Sequence, residues 1–156
     1  MSSLNVPGAN DEAGLCEVWS VVDLALVASP HLISVSAGGT IDFRLDAGPA
    51  EAGNTYFVIG SATGFAPGIG TSNGLLVPLV PDAYFAGTTD PALNPIANWT
   101  GYLDILGRGG AQLTIPPGYL PVQAAGISIY HAFVTYDLAL GDFSFVSNHV
   151  ITSFTL

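Results

Sequence analysis

Positively charged residues are almost absent from this sequence. Lysine does not occur, and Arg44 and Arg108 stand against twelve acidic residues, which gives a net charge of -10. Such a surface would repel a polyanion over most of its area and offers no basic stripe to bind one. We therefore expect no nucleic-acid partner, and anionic membrane surfaces are disfavoured for the same reason.

Cysteine and long apolar runs are also lacking. Cys16 is the only cysteine, so no disulfide can form within the chain. Gly, Pro, Asn or Asp interrupts every apolar run well before the roughly 18 residues that a spanning helix needs, so we expect no membrane insertion. No cationic leader with an apolar centre begins the chain, and we expect a signal peptide to be absent from it.

Apolar residues are abundant, at 49% of the chain, whereas charged residues make up only 9%. The apolar side chains must lie in a core and on surfaces that face partners. With so few charges to keep such surfaces apart, we expect self-association.

The apolar residues alternate with polar ones, which is typical of half-buried β-strands. In residues 40–46, "TIDFRLD", Ile41, Phe43 and Leu45 fall on one face and the charged residues on the other. Similar segments bounded by turn residues follow along the chain. They predict eight or nine short strands in an all-β fold, an antiparallel β-sandwich of Ig-like or jelly-roll type. The segments are 31–36, 40–46, 54–61, 75–80, 100–106, 111–116, 126–137, 143–147 and 149–156.

The domain prediction is a single domain over residues 15–156 behind a flexible arm or linker, residues 1–14. Residues 15–28 are ambiguous, because polar residues recur every three positions while Val and Trp favour strands. We favour strands there. Residues 90–99 contain two prolines and predict a loop, with a single helical turn as an alternative.

Residues 53–70, "GNTYFVIGSATGFAPGIG", end in a stretch with Gly60, Gly64, Gly68 and Gly70, which suggests a phosphate-binding loop at first sight. Such a loop needs a lysine and a helix whose N-terminus faces the anion, and neither follows Gly70. The segment is better explained as a strand that runs into a connection shaped by glycine and proline.

No motif specifies a reaction, so we predict that the chain is not an enzyme and has no catalytic or cofactor-binding residues. A hydrolase is the less favoured alternative, and it would need His131 or His149 beside an acid and a nucleophile. The position of His131 on an apolar strand face predicts a core or boundary histidine that hydrogen-bonds a neighbour.

Two candidate binding sites remain open. Asp137 and Asp142 flank a tight connection and could supply oxygen ligands to calcium. Trp99 and Tyr102 could stack against the rings of a glycan. Ordinary turn and core roles are the competing explanation for all four residues.

The order of the motifs "SAGGTIDFRLDAG", "GNTYFVIGSATGFAPG", "GYLDILGRGG" and "SNH" resembles a poorly characterised β-rich module of secreted and surface proteins of planctomycetes and other environmental bacteria. The resemblance covers roughly residues 34–156, with Thr63 where serine is commoner and Gly109 where alanine is. It implies an extracellular or cell-surface location and carries over no catalytic residue.

Four positions of the shared pattern have a structural explanation. Gly38 and Gly39 predict a turn before a strand. Asp104 and Arg108 predict a short hairpin whose two charges meet across its open end.

Together these features predict a non-enzymatic, extracellular structural or adhesive β-module that forms a homo-oligomer, a filament or another surface assembly. The alternative is a carbohydrate- or calcium-dependent binding domain.

Overall fold

Strands and short connections make up most of the described chain. The computed structural model describes residues 24–156. Its elements are, in chain order, β1 (Leu26–Ser29), β2 (Leu32–Ser34), β3 (Gly39–Asp46), a 3-10 turn (Pro49–Glu51), β4 (Thr55–Ser61), β5 (Ile69–Gly70), β6 (Leu76–Val77), α1 (Ala83–Thr89), β7 (Ile96–Ala97), β8 (Thr100–Tyr102), β9 (Arg108–Ile115), a 3-10 turn (Val122–Ala124), β10 (Ser128–Asp137), β11 (Asp142–Val146) and β12 (Val150–Thr155). The prediction of an all-β fold is confirmed.

The first sheet is antiparallel, with strand order β1-β3-β9-β7. Its longest strands, β3 and β9, are paired over their whole lengths, from Gly39 opposite Ile115 to Asp46 opposite Arg108. Along β3 every second residue is buried and its neighbours are exposed, as the alternating sequence predicts. One face of this sheet is therefore apolar and the other is solvated.

The second sheet has the order β2-β12-β10-β4-β8, with β11 paired to the C-terminal half of β10. Its pairings are antiparallel except that of β2 with β12, which is parallel. Apolar residues occupy both faces of its central strands, β4 and β10. A strand with this pattern needs cover on both sides.

Two hydrophobic clusters provide that cover. The first receives side chains from both sheets, including Phe43 and Ile41 from the first and Val58 and Phe133 from the second, all at most 1% exposed. The second lies on the opposite face of the second sheet, where Ile59 and other residues of β4 and β10 meet the connection between β4 and β7. We call the side of the second cluster the outer face of the second sheet.

Asn148 joins the two sheets along one edge. Its Oδ1 accepts hydrogen bonds from the backbone N–H groups of Ala25 and Leu26, both at 3.0 Å, and its amide nitrogen donates to the Leu26 carbonyl. The neighbouring Ser147 hydroxyl accepts the Phe133 N–H at 2.8 Å. The Ser-Asn pair of the shared sequence pattern therefore fastens β1 beside the start of β12.

The number and lengths of the strands differ from the prediction. Twelve strands are present among the described residues, against the eight or nine predicted, because several pairings involve only two or three residues. Residues 75–80 form a strand only at Leu76–Val77, since Pro78 has no N–H to donate. Residues 100–106 leave the strand after Tyr102 for a turn.

The helix α1 was not predicted. Asp82 caps it by accepting the N–H of Phe85 at 2.8 Å, and the Thr88 hydroxyl donates back to the Phe85 carbonyl. An Asp at the N-cap is a start signal that the sequence does carry. The segment is short and contains Gly87, which masked the signal.

The ambiguous segment at residues 15–28 is described only from residue 24 onward, where Leu26–Ser29 is a strand. The predicted arm, residues 1–14, lies outside the described residues. Within residues 24–156, no helix has the length and apolarity to cross a membrane.

The predicted hairpin at Asp104 and Arg108 is wrong, because β8 and β9 belong to different sheets. The predicted contact between the two side chains is also wrong. Arg108 Nε donates to Asp46 Oδ2 at 3.2 Å across the β3–β9 pair. Asp104 Oδ1 instead accepts the backbone N–H groups of Leu106 and Arg108, both at 2.9 Å. The carboxylate closes the turn through the backbone, because the chain of the turn lies closer to it than the guanidinium does.

The predicted Gly-Gly turn is present, and Gly38 adopts a φ of +69° there. A Cβ at Gly38 would lie 2.2 Å from the Ile115 carbonyl oxygen, so only glycine fits between β3 and the end of β9.

Candidate functional site

A large open cleft lies on the outer face of the second sheet. Its volume is about 510 Å³, within the range of small-molecule binding sites. We call it the outer cleft. It is lined by Phe57, Ile59, Ile69, Gly70, Thr71, Ser72, Val77, Phe85, Thr89, Pro91, Trp99, Val134 and Phe143.

The floor of the outer cleft comes from the alternation of β4 and its neighbours. Phe57 and Ile59 point to the outer face of the second sheet. Tyr56 and Val58, which alternate with them along β4, point into the core shared by the sheets. Val134 stands directly opposite Phe57 in the β4–β10 pairing and faces the same way.

The two sides of the outer cleft come from the connection between β4 and β8. The β5–β6 hairpin is held at β11, where the Asn73 amide donates to the Phe143 carbonyl and the Ser72 hydroxyl donates to Asp142 Oδ2 at 3.5 Å. The helix α1 is held at the opposite edge, on β4. The floor therefore lies between the hairpin and the helix, with Phe57 half-buried and Ile59 and Val134 each 5% exposed.

The helix α1 packs against β4 where this strand extends past β8 and one of its edges has no partner strand. Along that edge, the N–H of Val58 donates to the Trp99 carbonyl at 2.7 Å, and the N–H of Gly60 donates to the Thr88 hydroxyl at 3.0 Å. The N–H of Ala62 donates to Asp82 Oδ2 at 2.9 Å. The N–H groups of these alternate residues face the edge, and all three have acceptors. Another strand therefore cannot pair there.

Gly60 also permits a close approach that fixes the helix. A Cβ there would lie 2.5 Å from the Tyr84 ring and 2.8 Å from the His131 ring. Through this gap the Tyr84 hydroxyl reaches His131 Nε2 at 2.7 Å. Tyr84 therefore enters the shared core while its neighbour Phe85 lines the outer cleft.

The predicted role of His131 as a core histidine is confirmed. It is fully buried, its ring lies 4.8 Å from that of Phe43, and burial lowers its pKa to about 3. Burial, and secondarily the charge of Asp82, raises the pKa of Tyr84. His131 Nδ1 and Thr152 Oγ1 have no hydrogen-bond partner among residues 24–156. Because its pKa is about 3, the His131 imidazole is neutral at physiological pH.

The carboxylate of Asp82 organises the glycine-rich connection. Asp82 Oδ2 accepts the hydroxyls of Thr63 at 2.6 Å and Ser61 at 3.1 Å. Burial opposes ionisation, but these and the backbone hydrogen bonds hold the pKa of Asp82 below its usual range. A carboxylate at the centre of this turn would repel a phosphate.

The lining of the outer cleft is apolar with a few hydroxyl groups. Among the described residues that line it, none carries a carboxylate, an imidazole, a thiol or an amine. Thr71, Ser72 and Thr89 supply its hydroxyls, and that of Thr89 already donates to the Ala86 carbonyl at 3.0 Å. The walls offer apolar and aromatic contact with a few hydroxyls at the margin.

The two predicted glycan-stacking residues have different environments. Trp99 is half-buried and packs against Phe57 with ring centroids 5.9 Å apart, so it forms a wall of the outer cleft. Tyr102 is 74% exposed and lies on the same outer face, opposite Thr55. Both lie on the same side of the sheet, and glycan stacking on these two rings stays a prediction.

The two predicted calcium ligands face each other across the β10–β11 hairpin. Asp137 Oδ1 accepts the N–H groups of Ala139 at 2.9 Å and Leu140 at 3.3 Å. Asp142 Oδ1 accepts the N–H of Phe143 at 2.8 Å. In the part of the chain that the structure describes, no three His, Cys, Asp or Glu residues are grouped as a metal site.

The histidines of the hydrolase alternative lie apart. His131 bonds Tyr84, as described above, and His149 stacks on Phe65 with ring centroids 4.2 Å apart. Within residues 24–156, neither is hydrogen-bonded to a serine or a carboxylate.

A second apolar feature lies at the end of the sheets where β4 begins. Tyr102 and Tyr136 both pair with Thr55, so the turn after β8 and the hairpin after β10 project from the same end. These two turns lie about 10 Å apart, with one strand between them. They carry four exposed apolar side chains, Ile105, Leu106, Leu138 and Leu140, which we call the apolar tip.

The outer cleft was not predicted from the sequence, although a signal was present. The strands "TYFVIG" and "SIYHAFV" are apolar without alternation, which indicates cover on both faces. The covering segment, residues 62–99, is rich in glycine and proline and was predicted as strand and loop. Its position over β4 depends on contacts distant in sequence.

In comparisons with known proteins, no protein-family model and no curated protein matches the chain. The function must therefore be argued from the site.

The buried neutral His131 predicts that acid destabilises the fold. Its pKa is about 3 in the folded chain, against about 6.5 in an unfolded one. Between these values the unfolded chain binds the extra proton, so stability falls as pH falls through this window. From pH 7 to 5 this histidine should account for a loss of roughly 2 kcal/mol.

The measurement is urea unfolding of the full chain from pH 7 to 5, with an NMR titration of the imidazole signals. The His131 signals should not shift above pH 5. A His131 midpoint near 6.5 would contradict the assignment. Glu51 and Asp82, whose pKa values are also lowered, act in the same direction at lower pH.

Proposed function

We propose that the chain is a non-enzymatic, extracellular β-sandwich module that works by adhesion, holding an apolar group of another molecule in its outer cleft. The sandwich arrangement is supported by the single core to which both sheets contribute. The extracellular location is supported by the resemblance to surface modules. Neither the comparisons nor the resemblance indicates a ligand.

The observation that carries the proposal is the apolar, uncharged lining of a cleft of about 510 Å³. A surface of this kind stabilises a complex by removing apolar area from water, at about 25 cal/mol for each Å². Its hydroxyls can orient a ligand, but the lining offers no acid, base or thiol to transform one. Binding is the function that these residues can perform.

Ile69→Asp tests this function. Ile69 lines the outer cleft and is half-buried, so a carboxylate there would have to lose water when an apolar ligand enters. We expect binding of the neutral dye N-phenyl-1-naphthylamine, measured by its fluorescence, to weaken at least roughly tenfold.

Leu76→Asp is the matched control. It lies in the same hairpin, pairs with Gly70, is 58% exposed and does not line the outer cleft. It should bind the dye as the original chain does, with circular dichroism confirming the fold of both variants. Equal binding by all three chains, or no binding by the original chain, would refute the role of the outer cleft.

Self-association through the apolar tip is a second candidate function. Leu138 and Ile105 are 75% and 85% exposed on neighbouring turns, which is unusual for large apolar side chains grouped at one end. Contact between two such ends would bury them. This mode supports the expected homo-oligomer or filament without using the outer cleft.

The double substitution Leu138→Ser and Leu140→Ser should therefore shift the chain toward monomer in size-exclusion chromatography with light scattering, because it removes the apolar area buried between copies. Leu93→Ser, at a 66% exposed leucine in another turn, is the control and should leave the mass unchanged. A chain that is monomeric at every concentration would exclude this mode.

A further inference from the structure

The charges around the outer cleft select among apolar ligands. The lining itself is uncharged, but two acidic residues adjoin it in sequence. Asp90 lies between Thr89 and Pro91, which both line the outer cleft. Asp142 precedes the lining residue Phe143 and accepts the hydroxyl of the lining residue Ser72 at 3.5 Å. Both acidic residues therefore border the lining along the chain, and Asp142 also touches it through Ser72.

No compensating positive charge lies nearby among the described residues. The two arginines of the chain lie on the first sheet, Arg44 in β3 and Arg108 at the start of β9. Arg108 is paired with Asp46. The lining residues belong to the outer face of the second sheet, which is separated from the first sheet by the shared core.

An anionic head group at the margin of the outer cleft would meet two carboxylates and the field of a chain with a net charge of -10. A cationic head group would be attracted by both. The apolar body of either molecule would meet the same aromatic side chains of the lining, Phe57, Phe143 and Trp99. The discrimination therefore comes from the head group alone.

We propose that the outer cleft binds amphiphiles with a cationic head group, the apolar body packing on the floor and the ammonium resting beside Asp90 or Asp142. This assignment rests on the proposed binding function and adds the chemical class of the ligand. Both acidic residues are half-buried and still reached by water, so their effect is moderate and depends on salt.

Three ligands of equal chain length test the assignment. Decylamine, 1-decanol and decanoate are titrated, below their micelle concentrations and at low salt, against the full chain loaded with N-phenyl-1-naphthylamine. We expect the amine to displace the dye at a concentration roughly two- to tenfold lower than the alcohol, and decanoate to be the weakest. Added salt should reduce these differences.

Three isosteric substitutions locate the effect. Asp90→Asn and Asp142→Asn should each lower the ratio of amine affinity to alcohol affinity, because each removes a charge from the margin. The hydrogen bonds that their Oδ1 atoms accept, from Ala92 and Phe143, remain available to an amide oxygen. Asp42→Asn removes the same charge from the exposed face of the first sheet and should leave the ratio unchanged.

The proposal is overturned if the amine binds no more tightly than the alcohol, or if Asp42→Asn lowers the ratio as much as the other two. It is also overturned if none of the three ligands displaces the bound dye. Failure of the dye itself to bind is a separate result, and it refutes the binding function on which this assignment rests.

Discussion

The missing side chain at Gly60 is the constraint on which the arrangement of the outer cleft depends. Because no Cβ occupies the gap, Tyr84 passes beside β4 and its hydroxyl meets His131 Nε2 at 2.7 Å inside the shared core. The N–H of the same glycine is satisfied by Thr88. Gly60 thus permits the contact of Tyr84 near the start of the helix and makes the contact of Thr88 near its end. A helix this short would not be stable by propensity alone.

Once the helix is fixed, its remaining side chains are placed. Phe85 turns to the outer face of the second sheet, and Thr89 follows at the helix end. Asp82 at its start draws the connection after β4 into a turn through Ser61 and Thr63. The cleft is therefore a consequence of incomplete cover: the helix and the β5–β6 hairpin are each fastened at one edge and do not meet over Phe57 and Val134.

The sequence predicted the strands well where they alternate or form long apolar runs, as in β3, β4 and β10. That the glycine-rich stretch binds no phosphate-like anion stays a prediction, and the carboxylate of Asp82 in that turn is a physical argument for it. It failed for α1, because a seven-residue helix containing Gly87 depends on tertiary contacts. The prediction of an Asp104–Arg108 pair was wrong, because proximity in sequence does not show that Asp46 lies opposite Arg108 on the neighbouring strand. The outer cleft joins residues 57 to 143, and only the fold brings them together.

The central claim is that this incompletely covered face is a binding site for apolar groups. Methyl NMR of the full chain during titration with N-phenyl-1-naphthylamine tests it most directly. The account predicts saturable shifts of Ile59, Ile69, Val77 and Val134, with Ile41 and Leu45 of the shared core unaffected. Shifts confined to Leu138 and Leu140, or spread evenly over the shared core and the outer face, would contradict this account.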